Sequence, residues 1–177
     1  NMEFEKLTDN TKIPVIGLGT WTIGGGDEAD TTYDKEDISA IKTAIKLGIT
    51  HIDVAEAYAQ GHTEELVGRA IGGFDRKSLF VTSKVSPEHL SYDDLLASPK
   101  GSLQRLNTDY IDLYLIHAPN PDIPIQETMK AMDFLVEQKL IRCMGVSNFS
   151  VEQIKEAQKY TKNKIVANEI EYNLLVR

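Results

Sequence analysis

Four side chains of types that move protons follow one another along the chain: Asp53, Tyr58, Lys84 and His117. A tyrosine with its ordinary pKa of roughly 10 is a poor acid at neutral pH. A lysine ammonium beside it would favour the phenolate and lower that pKa, and an aspartate could neutralise and orient the lysine. A histidine could then hold an oxygen atom next to the tyrosine hydroxyl. Such a set suits the reversible reduction of a carbonyl group, with the hydride supplied by another molecule.

Each of these residues also has an ordinary structural explanation when it is taken alone. Asp53 could cap the turn that follows it, and Tyr58 could be a half-buried aromatic with a hydrated hydroxyl group. Lys84 could close a strand at the surface, and His117, which precedes Ala-Pro, could sit at the end of a strand with its hydrogen bonds satisfied. The four residues fall at the ends of three successive predicted strands, and this pattern favours a shared site.

The elements that must position these residues alternate between short apolar strands and amphipathic helices. Strands are predicted to start near residues 49, 79, 110, 141 and 165. A strand–helix unit repeated about every 30 residues implies parallel strands with right-handed crossovers. Two α/β architectures compete, a (β/α)₈ barrel and an open doubly wound sheet.

The polar residues favour the barrel. Asp53, Lys84, His117 and the pair Ser147–Asn148 lie at or just past the C-terminal ends of successive strands. Barrel active sites are assembled from those ends, whereas an open sheet concentrates its site at one switch point. A typical barrel needs roughly 250 residues, so we expect this 177-residue chain to hold an incomplete one.

Three local features complete the predicted elements. Residues 4–7 and 13–16 form strand-like runs joined by a turn, which indicates an N-terminal β-hairpin. The glycine-rich segment 17–26 is predicted to be a flexible loop. Pro99 and Gly101 interrupt the helix expected between residues 92 and 106, and we expect Pro99 to kink that helix or split it in two.

Composition excludes several classes of function. The chain has 19 basic and 27 acidic residues, a formal charge of −8, so neither nucleic acid nor an anionic membrane is an expected partner. Cys143 is the single cysteine, which rules out an intrachain disulfide and fits a reducing compartment. We see no transmembrane run and no signal-peptide core, so we expect a cytoplasmic location. The four histidines lack metal-ligand spacing, and we expect no metal site.

The glycines at 17, 19 and 24–26 could be taken for a dinucleotide-binding loop. That motif requires a strand before it and a helix that opens directly on it. Here a hairpin precedes the glycines and no helix follows at once, so a Rossmann-type site is disfavoured.

Five segments together resemble the aldo-keto reductase family, in order and spacing. They are "KIPVIGLGTW", "GITHIDVAEAYAQGHTEELVGRAI", "LFVTSK", "DYIDLYLIHAP" and "IRCMGVSNFS". The resemblance covers essentially the whole chain. It implies a single domain that is the N-terminal part of a (β/α)₈ barrel, with a hairpin over 1–18 and five of the eight βα units over 19–177. It also implies reduction of aldehydes or ketones by NADPH, with NADH as an alternative.

The resemblance assigns roles to individual residues. The family's tetrad falls on the four residues above: Tyr58 as general acid, Lys84 lowering its pKa, Asp53 pairing with the lysine and lying by the cofactor, and His117 orienting the carbonyl. Ser147 and Asn148 match the pair that holds the nicotinamide carboxamide. Gly19, Thr20 and Trp21 match the first loop by the cofactor, where Trp21, with Tyr58 and His117, would line the substrate pocket.

One position departs from the family pattern. Glu169 stands where the family usually has a glutamine that contacts the nicotinamide. A carboxylate cannot donate a hydrogen bond unless it is protonated.

The resemblance also predicts that three barrel strands are missing from the chain. The first and fifth strands would then be open edges, and open apolar edges invite association. We therefore expect the chain to pair with another copy or with a separate C-terminal piece. An alternative to the enzyme is a truncated, non-catalytic barrel that serves as an interaction or cofactor-sensing module.

Overall fold

The computed structural model describes residues 2–176, so Asn1 and Arg177, the two ends of the predicted domain, lie outside the described part. The strands are β1 (Phe4–Lys6), β2 (Lys12–Pro14), β3 (Gly17–Gly19), β4 (His51–Asp53), β5 (Phe80–Val85), β6 (Ile111–Ile116), β7 (Ile141–Ser147) and β8 (Ile165–Glu169). The α-helices are α1 (Asp34–Lys46), α2 (His62–Ile71), α3 (Tyr92–Leu106), α4 (Ile125–Glu137) and α5 (Val151–Gln158).

The central sheet contains β3 to β8 in sequence order, and every neighbouring pair is parallel. The sheet curls as an incomplete barrel with helices on its outer side. Strands β1 and β2 pair antiparallel as the predicted hairpin. The α/β barrel fold and the hairpin are therefore confirmed.

Strand β3 corrects the prediction of a flexible loop at the start of segment 17–26. Gly17–Gly19 pairs in parallel with His51–Asp53, so the described sheet has six parallel strands where five were predicted. A Cβ added to Gly17 would lie 2.7 Å from the Nδ1 atom of His51. Glycine therefore lets the two short strands approach each other, and a run so short and glycine-rich does not look like a strand in the sequence.

The split that was one of the two outcomes predicted at Pro99 is absent, because α3 runs from Tyr92 to Leu106 as one helix with Pro99 inside it. The other outcome, a kink in a continuous helix, stays a prediction. Pro99 lies on the buried face of α3. The neighbouring helix α2 packs closely, since a Cβ added to Gly68 would lie 2.4 Å from the backbone oxygen of Arg105. A proline inside a helix removes one backbone hydrogen bond, yet α3 continues beyond Pro99 to Leu106.

Apolar side chains fill both faces of the sheet. The larger cluster lies between the sheet and the helices, and Ile52, Val81, Tyr114 and Val146 belong to it. The smaller cluster lies on the other face and consists of Phe80, Leu113, Leu115, Cys143 and Val166. Leu7 and Ile13 of the hairpin segment pack against this smaller cluster.

No helix within residues 2–176 combines the length and the apolar character needed to cross a bilayer. Strands β3 and β8 are the two edge strands of the described sheet. The prediction that the strand starting near residue 49 is an open edge is therefore wrong, because β3 pairs with it on that side. The pairing of β3 and β8 with another copy or with a C-terminal piece stays a prediction.

Candidate active site

Lys84 is the centre of the site. It is the fifth residue of β5 and its side chain is completely buried. The ammonium nitrogen donates to a carboxylate oxygen of Asp53, lies 3.1 Å from the hydroxyl oxygen of Tyr58 and lies 3.4 Å from the carbonyl oxygen of Val54. The structure therefore brings three of the four tetrad candidates into direct contact, as the sequence predicts.

Strand β3 and the residue after it, Thr20, hold the backbone of Asp53 in place. Gly19 lies opposite Asp53 in the parallel ladder. The backbone nitrogen and the hydroxyl group of Thr20 both donate to the carbonyl oxygen of Asp53, at 3.1 and 2.7 Å. Thr20 is fully buried. Gly19 and Thr20 thus support Asp53 here, whereas their predicted contact with a cofactor stays a prediction.

Tyr58 opens a tight turn, Tyr58–Gly61, that leads into α2. Ala59 and Gln60 in this turn have left-handed backbones, with φ of 46° and 55°. The backbone nitrogen of Ala59 donates to the carbonyl oxygen of Gly26 at 3.1 Å, which fastens the turn to the loop after β3.

His117 lies immediately after β6 and faces Tyr58. The two rings meet edge to face, with centroids 5.7 Å apart and planes at 74°. The backbone nitrogen of His117 donates to the carbonyl oxygen of Val85 at 3.0 Å. The fourth tetrad candidate therefore stands beside the tyrosine, in a position to share an oxygen ligand with it.

The pKa of Tyr58 differs from the sequence expectation. Burial raises the pKa of Tyr58 above its ordinary value, and the nearby Lys84 ammonium opposes this without reversing it. The expected net lowering of this pKa is therefore wrong for the structure described. Burial and the charge of Lys84 both lower the pKa of His117. The imidazole is accordingly neutral at pH 7 and can donate one hydrogen bond.

The charges around Lys84 compete with one another. The pKa of Asp53 is raised to about 7, because burial and the like charge of Glu169 raise it and the Lys84 ammonium opposes them without reversing the shift. Within residues 2–176 the Oδ2 atom of Asp53 is buried and has no hydrogen-bond partner, which is consistent with a strong effect of burial. Burial disfavours the charged form of Lys84, but Asp53 and Glu169 outweigh it and raise the pKa of Lys84.

The sequence does not predict the contact between Lys84 and Glu169. The Oε1 atom of Glu169 lies 3.3 Å from the Lys84 nitrogen, although β8 and β5 are separated by two strands in the sheet. Curling of the sheet brings the ends of these strands together. The available signal was the position of Glu169 at the end of a predicted strand, the same position that pointed to Asp53 and Lys84.

A cleft of about 560 Å³ opens above this cluster. Its lining includes the predicted residues Trp21, Tyr58, His117, Ser147, Asn148 and Glu169. The Trp21 side chain is 71% exposed. The proposed proton donor Tyr58 and its neighbour His117 therefore line the cleft. The exposed ring of Trp21 lines it as well.

Ser147 and Asn148 place polar groups in the cleft at the end of β7. The side-chain nitrogen of Asn148 donates to the carbonyl oxygen of His117 and to the hydroxyl oxygen of Ser147, both at 3.0 Å. The backbone nitrogen of Asn148 donates to the carbonyl oxygen of Glu169 at 2.9 Å. A hydroxyl and a primary amide are suitable partners for a carboxamide, so this donor set fits the nicotinamide group of a cofactor.

Glu56 is a further carboxylate near the site to which the sequence assigned no role. Its side chain is nearly buried and accepts from the backbone nitrogen of Ser86 at 2.7 Å. It also contacts the Nδ1 atom of His89 at 2.9 Å. Glu56 thereby joins the loop after β4 to the loop after β5, the two strands that carry Asp53 and Lys84.

Comparison with known proteins identifies the family of the chain. The model of the aldo/keto reductase family matches residues 15–177. The methylglyoxal reductase YeaE of Escherichia coli K12 is 36% identical over 96% of this chain, which corresponds to 58% of YeaE.

Two crystal structures show the same fold. The thermostable aldo-keto reductase Tm1743, crystallised with the inhibitor epalrestat, is 51% identical and superimposes with a TM-score of 0.95. An aldo-keto reductase from Klebsiella pneumoniae in complex with NADPH is 38% identical, with a TM-score of 0.80. They match 97% and 91% of this chain, which spans 63% and 54% of theirs. The chain belongs to the aldo-keto reductase family.

Proposed function

We propose that the protein reduces aldehydes or ketones to alcohols with NADPH as the hydride donor. The observation that carries this proposal is the contact of one buried ammonium, that of Lys84, with both Asp53 and Tyr58 at a cleft that His117 also lines. The family assignment supports it, as does the NADPH bound to the Klebsiella relative.

In the proposed reaction the carbonyl oxygen of the substrate lies between the Tyr58 hydroxyl and His117. Neutral His117 donates a hydrogen bond that orients this oxygen. NADPH, when bound in the cleft, would supply the hydride that the carbonyl carbon accepts. Tyr58 gives its proton to the oxygen, the O–H bond of the alcohol forms, and a phenolate remains on the tyrosine. Lys84 stabilises that phenolate, and Asp53 holds the lysine in place.

Residues of the cleft would hold the cofactor by complementary hydrogen bonds. Ser147 and Asn148 supply the hydroxyl and amide groups that suit a carboxamide, and Glu169 supplies an acceptor. The first-loop residues Gly19, Thr20 and Trp21 are proposed to border the same ligand. NADH contains the same nicotinamide carboxamide, so these contacts do not discriminate between the two cofactors.

Small aldehydes are the substrates to test first. YeaE, with which the chain shares 36% identity, is a methylglyoxal reductase. The proposed contacts of Tyr58 and His117 involve only the carbonyl oxygen, so a substrate does not need a long chain to make them.

The experiment is a titration of the full-length protein with NADPH, followed by turnover. Trp21 lines the cleft, so its fluorescence should be quenched at micromolar NADPH, and Trp21→Phe should lose that signal. Absorbance of the reduced nicotinamide should then fall when methylglyoxal is added. Binding without turnover of any of several aldehydes and ketones would contradict the proposed reaction. No binding up to millimolar NADPH would contradict the cofactor as well.

A further inference from the structure

The ammonium group of Lys84 has more carboxylate partners than it can neutralise. It has three N–H donors, and its side-chain neighbours are Asp53, Tyr58 and Glu169. One positive charge thus faces two carboxylates, both of which also lie near the phenol. The Tyr58 hydroxyl therefore shares its cation with an excess of negative charge.

We propose that Glu169 is a positioning residue that shares the Lys84 ammonium with Asp53 and thereby keeps Tyr58 in its proton-carrying form. The proposal rests on the proposed function, in which Tyr58 is the proton donor. Reduction of a carbonyl needs the protonated hydroxyl, whereas oxidation of an alcohol needs the phenolate as base. Glu169 thus favours the reductive direction at alkaline pH.

Apart from Glu169, the titratable groups around Tyr58 do not place a second carboxylate on the Lys84 ammonium. Asp53 is the closer partner of Lys84, and it is the one the sequence assigns to that role. His117 is neutral, and the remaining nearby histidine, His51 on β4, contacts Thr82 at 2.9 Å. Asp27 and Glu171 also line the cleft, but neither has an ion pair with Lys84 within residues 2–176.

Glu169 is the more exposed of the two carboxylates that contact Lys84. Its side chain is 45% exposed, while that of Asp53 is 17% exposed. Its charge raises the pKa of both Tyr58 and Asp53, which agrees with the direction inferred from the contacts. Glutamine has nearly the same size and no charge, so Glu169→Gln removes the proposed effect with little change in packing.

The test is a pH titration of Tyr58 by NMR on the full-length protein labelled with ¹³C at the tyrosine ring carbon that bears the hydroxyl. Tyr58→Phe assigns the resonance. In Glu169→Gln the acid dissociation constant of Tyr58 should increase about tenfold, as expected when one nearby unit charge is lost from a partly buried site. Glu169→Asp, which keeps the charge, should stay closer to the unsubstituted protein.

Glu171→Gln is the matched control, since it removes a carboxylate from the same cleft without touching Lys84. An unchanged or smaller dissociation constant in Glu169→Gln would overturn the proposal, as would an equal increase in the control. Kinetics should follow the titration, with the alkaline limit of carbonyl reduction moving to lower pH in Glu169→Gln alone. Undiminished reduction by Tyr58→Phe would instead overturn the proposed function, so the two failures are distinguishable.

Discussion

Ser83 and Lys84 are adjacent in β5 and both are completely buried, yet their side chains join two separate polar networks on opposite faces of the sheet. Lys84 contacts Asp53 and Tyr58 at the cleft. The hydroxyl group of Ser83 donates to Glu64 of α2 at 2.6 Å, and Glu64 in turn accepts from Arg105 of α3 at 2.7 Å. Side chains alternate along a strand, so one dipeptide anchors the strand to its helices and presents the ammonium to the site.

Tyr58→Phe should abolish carbonyl reduction with little change in NADPH affinity. The substitution removes the only proposed proton donor and leaves the ring in place. Loss of a general acid typically lowers the rate by about 10²–10⁴-fold. Steady-state kinetics with an aldehyde, together with the Trp21 fluorescence titration, measure the two effects separately. A rate equal to that of the unsubstituted protein would remove Tyr58 from the mechanism.

Arg105→Met should destabilise the fold strongly although Arg105 lies outside the cleft. Glu64 is completely buried, whereas the Arg105 side chain is 29% exposed. The substitution leaves a carboxylate without its cation, at a cost of about 3–5 kcal/mol in the free energy of unfolding. Urea unfolding measures the loss.

The double variant Glu64→Gln, Arg105→Met is the control for that prediction. It removes both charges, so it should recover much of the stability that Arg105→Met loses. If the single and double variants unfold at the same urea concentration, the ion pair does not contribute as we infer.

Asp53→Asn should become more stable relative to the unsubstituted protein as the pH rises from 5 to 8. The pKa of Asp53 is raised from 3.8 to about 7, so the folded state binds this proton more tightly than the unfolded state. The stabilisation from that proton is complete below pH 3.8 and is lost as the pH rises through about 7. Asparagine does not titrate, and the difference should reach about 1–3 kcal/mol, given 1.36 kcal/mol per pKa unit. Urea unfolding at several pH values checks the sign, and an opposite slope would contradict the assignment.

The pH profile of kcat/KM should identify Asp53 rather than His117 as the group that titrates near neutrality. The pKa of Asp53 is about 7, while burial and Lys84 hold the pKa of His117 below its ordinary value of 6.5. A change of slope near pH 7 should therefore survive in His117→Gln, at a lower overall rate, and disappear in Asp53→Asn. The reverse pattern would assign this titration to the histidine.

Sequence reasoning succeeded where residue type and strand position agree. Asp53, Lys84 and Ser147 lie within the last two residues of their strands, and His117 follows its strand directly, so the shared edge of a parallel sheet predicted their proximity. Tyr58 could be linked to them through its short distance from Asp53 along the chain. The alternating strands and helices likewise predicted the architecture.

The features that the sequence does not predict depend on contacts between residues far apart in the chain, and such contacts leave no pattern in the nearby sequence. Strand β3 is too short and glycine-rich to resemble a strand, and only its pairing with β4 defines it. The pKa of Tyr58 depends on how deeply the ring is buried, and the Glu169–Lys84 pair depends on how far the sheet curls. Pro99 lies on the buried face of a continuous helix, which the sequence of that helix alone does not reveal.

The turn that begins at Tyr58 determines how precisely the proposed proton donor is placed. Ala59 and Gln60 hold left-handed backbones, and residues with a side chain pay about 1–2 kcal/mol each for that conformation. An isolated peptide of this sequence would not keep the turn. Its shape is imposed from outside, in part by the bond from Ala59 to the Gly26 carbonyl. Contacts with the surrounding loops, and not the local sequence of the turn, therefore fix the position of the Tyr58 hydroxyl group.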